Sequence, residues 1–177
     1  MSPQRYSLPA ILLHWAQAIL ILWLLWLGWT MTDLPKGAER SAAYSLHKSL
    51  GLLALLLIVV RLAWRSRNAP PPLQAEGWEG RLAHLTHRAL YLLLVLAPLA
   101  GYLASSFTPY ALKFFGIEIA KAGWPDESLN GFFKLLHQAF VWGIGGLVFL
   151  HLAGALKHLL LRDGTLSRML PGRVLQK

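Results

Sequence analysis

The stretch FFKLLHQAFVWGIGGLVFLHLAGALKHLLL, residues 132–161, decides the fold. Its charged side chains are Lys134 and Lys157, and each lies close to one end. About 20 mostly apolar residues are enough for an α-helix to cross a lipid bilayer. The stretch therefore predicts a transmembrane helix, and it carries two histidines, His137 and His151, inside its apolar run.

Three further stretches are apolar enough to cross a bilayer, residues 9–31, 46–64 and 82–106. The first is longer than the apolar core of a signal peptide, so we expect it to remain as a span. Of the 177 residues, 55% are hydrophobic and 14% are charged, whereas soluble domains carry about a quarter charged residues. The sequence predicts an all-α integral membrane four-helix bundle, in one domain over residues 1–177.

Cysteine content and net charge exclude several classes of protein. The chain has no Cys, which rules out a disulfide scaffold, a thiolate nucleophile and a zinc or iron–sulfur site held by Cys. The formal net charge is +9. In a membrane protein an excess of Lys and Arg usually records orientation, so the charge does not indicate a nucleic-acid partner.

Lys and Arg are unequally divided between the two sides of the predicted bundle. The side that holds both termini and the connection between spans 2 and 3 has a net charge of +8, and the other side has +1. The more basic side faces the cytoplasm in most membrane proteins, so both termini are predicted to be cytoplasmic, in a bacterial inner membrane. The cytoplasmic side holds Arg5, Arg61, Arg65, Arg67, Arg81, Arg88, Lys157, Arg162, Arg168, Arg173 and Lys177 against Glu76, Glu79 and Asp163; the external side holds Lys36, Arg40, Lys48, Lys113, Lys121 and Lys134 against Asp33, Glu39, Glu118, Asp126 and Glu127.

Four histidines form two predicted pairs at different depths. His137 and His151 are 14 residues apart, which is roughly 21 Å along a helix and within about 40° of the same face. His14 lies near the cytoplasmic start of span 1, and His47 lies near the external start of span 2. Depth therefore pairs His14 with His151 and His47 with His137.

Two facing imidazoles between membrane helices are typical of heme iron with two axial histidines. Zinc needs four N, S or O ligands, and these depths offer neither Cys nor acid. A proton relay within the membrane more often includes Asp or Glu. The residues thus predict two heme b groups, with the iron of each ligated by one of the two histidine pairs.

Further polar residues are candidates for contacts with heme propionates or a quinone. Lys48 follows His47, and Lys134 lies one turn before His137. At the cytoplasmic side the candidates are His87, Arg88 and His158, which can equally be solvated residues of the membrane surface. The longest predicted external loop, residues 107–131, is a further place where function can reside.

Motifs over nearly the whole chain resemble one family. They are Arg5-Tyr-Ser with His14-Trp15, His47-Lys-Ser-Leu-Gly51, His84-Leu-Thr-His87 followed by Pro98 and Gly101, His137, His151, and Lys157-His158 with Asp163-Gly-Thr-Leu-Ser-Arg-Met169. Together they resemble the bacterial cytochrome b561 family of four-helix membrane proteins with two b-type hemes.

The resemblance implies axial ligation by His14, His47, His137 and His151 and electron transfer to the quinone pool. In one branch, superoxide oxidase, external superoxide is the donor and ubiquinone the acceptor. A second hypothesis is a membrane-anchor cytochrome b subunit that relays electrons for a separate periplasmic partner. The third, from another class, is a heme-free channel or transporter.

Overall fold

The computed structural model describes residues 5–72 and 77–170. Four helices span Leu8–Asp33 (α1), Ala38–Arg67 (α2), Gly77–Ser106 (α3) and Glu127–Leu161 (α4). Each is long and apolar enough to cross a membrane. The predicted all-α membrane bundle is therefore confirmed. Three residues used in the charge balance, Glu76, Arg173 and Lys177, lie outside the described residues.

Helix α1 begins one residue before its predicted apolar stretch, and the other three helices begin five or more residues before theirs. Helix α2 starts eight residues before Leu46, α3 five before Leu82, and α4 five before Phe132. Backbone hydrogen bonding continues through polar residues that lie outside the apolar run, so hydropathy alone shortens these helices. At α4 the start is set by Asp126, whose carboxylate accepts the backbone N–H of Leu129 at 2.9 Å.

The segment between α3 and α4 contains an element that hydropathy did not predict. Strands Leu112–Phe114 (β1) and Ile117–Ile119 (β2) pair antiparallel, with Leu112 opposite Ile119. Phe115 and Gly116 form the turn, with φ of 46° and 90°. Positive φ at both turn residues matches the twist of a tight hairpin. Residues 107–131, predicted as one loop, are therefore partly hairpin and partly the start of α4.

The helices pack α1 on α2, α2 on α3 and α3 on α4. Buried residues form two clusters, one around Leu20, Leu50 and Ala54, the other around Ile58 and Ile144. Large apolar side chains cover the outside as well, as the exposure of Phe149 (76%) shows. A water-soluble domain rarely exposes so much contiguous apolar surface, whereas a bilayer solvates it.

A short 3₁₀ helix, Leu166–Met169, closes one end of the bundle. The side chain of Arg168 is 3% exposed and donates to the carbonyl of Pro72 at 2.8 Å. The indole of Trp15 donates to the carbonyl of Met169 at 2.8 Å, and Arg5 donates to that of Leu170 at 2.7 Å. The N-terminal segment, the α2–α3 connection and the C-terminal segment thus meet at this end.

Candidate functional site

Histidine side chains meet in two places inside the bundle. His47 of α2 and His137 of α4 form the hairpin-side pair, with ring centroids 6.1 Å apart and ring planes at 88°. His14 of α1 and His151 of α4 form the termini-side pair, with centroids also 6.1 Å apart and planes at 69°. The structure thus places these four residues together in the combinations that depth in the membrane predicted.

In the hairpin-side pair, one hydrogen bond determines which nitrogen of His137 is free. Its Nδ1 lies 2.7 Å from the backbone carbonyl of Ala97 on α3. A carbonyl only accepts, so Nδ1–H donates, and the unprotonated nitrogen of the neutral ring is Nε2. Metal-binding histidines commonly have their other ring nitrogen held in this way.

Two glycines on neighbouring helices hold the hairpin-side rings closely. A Cβ atom at Gly28 of α1 would lie 3.1 Å from Cε1 of His47. A Cβ atom at Gly101 of α3 would lie 3.1 Å from Nδ1 of His137. Each imidazole therefore packs directly on a helix backbone, and this leaves little freedom for the ring to move away from its partner.

The hairpin lies next to this pair because of Ser49, two residues after His47. The buried hydroxyl of Ser49 accepts the backbone N–H of Phe115 at 3.0 Å and donates to the carbonyl of Ser45 at 3.0 Å. Lys48 is half-buried beside it, and Lys134 is exposed. Sequence reasoning identified both lysines but missed Ser49 and Gly28.

A third imidazole joins the termini-side pair. His87 of α3 lies with its ring centroid 5.3 Å from that of His151. The side chain of His87 is half-buried. Three imidazole rings, from α1, α3 and α4, therefore lie together in this region. Of the polar residues predicted near a cytoplasmic quinone, His87 is the one in direct contact with the histidine pair.

Arg61 of α2 is the charged group closest to the termini-side pair. Its Nη2 lies 3.0 Å from Nδ1 of His14, and its guanidinium lies 5.2 Å from the ring centroid of Tyr91. Because a guanidinium can only donate, Nδ1 of His14 accepts this bond. With this bond formed, the proton of the neutral ring sits on Nε2.

The other two cytoplasmic candidates lie elsewhere. Among the described residues, Arg88 makes no hydrogen bond or ring contact with the pair; it lines a surface cavity. His158 forms an ion pair with Asp163. Partial burial raises the pKa of the Asp163 carboxyl, but hydrogen bonds from Thr165 and His158 lower it more, so the net pKa lies below the ordinary value.

Each histidine pair would suit a metal that takes only two ligands from the protein better than it suits a closed metal site. Over residues 5–72 and 77–170, no group of three or more His, Cys, Asp or Glu side chains could hold a metal ion. Ring centroids 6.1 Å apart are consistent with one metal atom between the two rings of a pair, since metal–imidazole bonds are about 2 Å long. A metal with only two protein ligands needs the rest from a cofactor, as heme supplies.

The family model for prokaryotic cytochrome b561 matches residues 5–172. This chain belongs to the prokaryotic cytochrome b561 family. Cytochrome b561 homolog 2 of Escherichia coli (strain K12) is 34% identical to it over 174 residues, covering 96% of this chain and 93% of that relative. The protein named probable superoxide oxidase CybB of Yersinia pestis is 31% identical to it over 179 residues, covering 95% of this chain and 97% of that relative.

Membership establishes the general character of the protein. Cytochromes of this family are helical membrane heme proteins, so membership implies b-type heme and membrane electron transfer. The four spanning helices of this cytochrome make it a multi-pass membrane protein. The number of hemes, the donor and the acceptor are finer questions.

Proposed function

We propose that this cytochrome carries two b-type hemes and passes electrons across the membrane from an external donor, with superoxide as the candidate, to ubiquinone. His47 and His137 would hold one heme iron, and His14 and His151 the other. The observation that carries the proposal is the presence of two imidazole pairs at opposite ends of one bundle. Bound heme iron supplies reversible one-electron transfer.

The chemistry of the reactants explains why two redox centres are useful. Two superoxide anions each lose one electron and become O₂, with no proton taken up. One quinone takes two electrons and two protons and becomes quinol. A chain that stores two electrons can match a one-electron donor to a two-electron acceptor.

The residues around the termini-side pair suit a quinone. Quinone carbonyls accept hydrogen bonds, and reduction makes them more basic. His87 lies against His151, and Arg61 donates toward His14, so both are placed to donate to such a ligand. His158 and Asp163, at the end of α4, are placed to deliver protons from the adjacent water.

Charge near the hairpin-side pair is limited. An anionic substrate is drawn by positive potential, yet this side of the chain has a net charge of only +1 over the whole sequence. The local positive charge comes from Lys48, beside His47, and Lys134, one turn from His137. These two lysines are therefore the residues we assign to steering superoxide.

The test mixes purified protein, loaded with heme, with a superoxide source and a soluble ubiquinone analogue. A pyridine hemochrome assay should give two b-type hemes per chain. Stopped-flow spectroscopy should show heme reduction followed by quinol formation, and Lys48→Gln with Lys134→Gln should slow the first phase at low ionic strength. If superoxide leaves the hemes oxidised while dithionite reduces them, superoxide is not the donor.

A relay for a separate periplasmic protein is the second candidate. Tyr110 (74% exposed) and Ile117 (70% exposed) present apolar surface beside the hairpin, where such a partner could bind. Stoichiometric co-purification of a redox partner would favour this function, and full activity of the lone chain would oppose it. A heme-free channel is tested by the absorption spectrum, which should then lack a Soret band.

A further inference from the structure

The first turns of α3 carry a cavity that the proposed electron transfer does not use. It has a volume of about 310 Å³ and is lined by Arg81, His84, Leu85 and Arg88. Their spacing places them on one face of the helix. Thr86, on the other side of the same turns, is 5% exposed. The cavity therefore opens outward, away from the histidine pairs.

Within the part of the chain that the structure describes, no acid neutralises the positive charge in this cavity. Among the described residues, Arg81, His84 and Arg88 make no hydrogen bond or ion pair with a protein partner. The nearby acid Glu79 is paired with Lys157 instead. Two guanidinium groups and an imidazole thus line one surface cavity with no anion supplied by the described chain.

The cavity lies at the level where α3 enters the membrane. Trp78, three residues before Arg81, is 70% exposed, and aromatic rings of this kind favour the headgroup region. Leu85 lies among the basic residues and is 66% exposed, so it offers contact to a hydrocarbon chain. Basic and apolar groups therefore lie side by side on this face of α3, where a phospholipid offers both a phosphate and an acyl chain.

We propose that this cavity binds the phosphate group of an anionic phospholipid. Guanidinium groups bind phosphate oxygens through paired, charge-assisted hydrogen bonds. Arg81 and Arg88 are about 10 Å apart along the helix axis, and His84 lies between them, so donors are available along the length of the cavity. Bound lipid would cover the exposed side of α3 opposite the half-buried His87.

Native mass spectrometry of the full-length, heme-loaded protein tests this proposal. The probes are diphosphatidylglycerol, phosphatidylglycerol and the zwitterionic phosphatidylcholine. The variant Arg81→Gln/Arg88→Gln should bind the two anionic lipids about 30-fold more weakly, since each basic residue at a membrane surface contributes about a fivefold gain in affinity. The control Arg67→Gln/Arg162→Gln removes the same charge from exposed positions that do not line the cavity.

Several outcomes would overturn the proposal. Equal losses in the two double variants would mean that only net charge matters, and equal binding of phosphatidylcholine would mean that the phosphate is not recognised by charge. Displacement of lipid by an equal concentration of inorganic phosphate would assign the cavity to a free anion. An unchanged heme spectrum and elution volume show that each variant is folded.

Discussion

At the hairpin-side pair, the hydrogen bond between His137 Nδ1 and the Ala97 carbonyl fixes which nitrogen of the neutral ring carries the proton. The same pair is packed by Gly28 and Gly101, so its geometry is set by four helices at once. The termini-side pair differs, because Arg61 donates to Nδ1 of His14. The two centres therefore have different surroundings, and substitutions should affect them one at a time.

Single-histidine variants test the assignment of ligands. We expect His47→Ala and His137→Ala to lose the same heme, and His14→Ala and His151→Ala to lose the other. Each variant should retain about one heme per chain, because the pairs lie at opposite ends of the bundle and share no residue. Pyridine hemochrome assays and redox titration of the α band measure this. His84 is an exposed histidine outside both pairs, so the control variant His84→Ala should keep both hemes. If His47→Ala and His14→Ala lost the same heme, the pairing would be contradicted.

Alanine at Gly28 or Gly101 tests the packing of the hairpin-side rings. The new Cβ would lie 3.1 Å from the ring of His47 or His137, so the ring must shift by a few tenths of an ångström. Overpacking of this kind costs about 1–3 kcal/mol and outweighs the gain of up to about 1 kcal/mol in helix propensity. We expect an altered low-spin EPR signal from one heme and an unaltered signal from the other.

Gly131→Ala is the matched control for these two variants. It lies in α4, and a Cβ there would meet nothing within 4 Å. It should leave both EPR signals unchanged and raise the thermal midpoint slightly. If Gly101→Ala altered the EPR signals of both hemes, the effect would be a general loosening of the bundle and not a local contact.

The position of Arg61 relative to the histidines could be read from its spacing in the sequence, but its contact could not. It follows His47 by 14 residues, the same interval that separates His137 from His151. It therefore shares a face of α2 with His47 but lies at the depth of the other pair. Sequence reasoning counted it on the cytoplasmic side and assigned it no contact, because a charge in an apolar run has no partner until the neighbouring helices are placed.

At the scale of elements, the apolar cores of the helices could be predicted and the connections could not. Hydropathy identifies the apolar part of a helix, but α2, α3 and α4 begin before their apolar stretches, in more polar sequence that hydropathy does not mark as helical. The hairpin carried a local signal, alternating residues on both sides of Phe115-Gly116. Its position depends on Ser49, which is distant in sequence, and no local pattern predicts that contact.

The C-terminal segment should depend on Arg168. Replacing Arg168 with Gln removes the bond to the Pro72 carbonyl and the contact of the guanidinium with the Tyr6 ring, 5.7 Å from its centroid. Loss of a buried charge-assisted bond costs about 1.5–3 kcal/mol. We expect faster hydrogen exchange in residues 166–170, while the spanning helices keep their protection.

Arg162→Gln is the control for Arg168→Gln, since Arg162 is exposed and follows α4 directly. It should leave exchange in the C-terminal segment unchanged. Equal acceleration in the two variants would indicate that charge alone, and not the buried contact, holds the segment.

At the scale of the whole molecule, the division of Lys and Arg predicts how the bundle sits in the membrane. The chain has no Cys, so single cysteines can be introduced without background. Glu118 of the hairpin and Asn68 after α2 are both exposed and lie on opposite sides of the predicted bilayer. In intact cells a membrane-impermeant maleimide should label Glu118→Cys and not Asn68→Cys, and in inside-out vesicles the pattern should reverse.

This orientation bears directly on the direction of electron flow. If the hairpin side is external, the proposed donor would meet the His47–His137 pair first, and the proposed quinone reduction at the other end would take its protons from the cytoplasm. Labelling of Asn68→Cys in intact cells would place the side with a net charge of +8 outside. The order in which the two histidine pairs receive electrons would then be reversed. A third outcome is partial labelling of both variants in intact cells and full labelling only after detergent is added. That result would show that the chain inserts in both orientations, so the charge difference would not determine its topology.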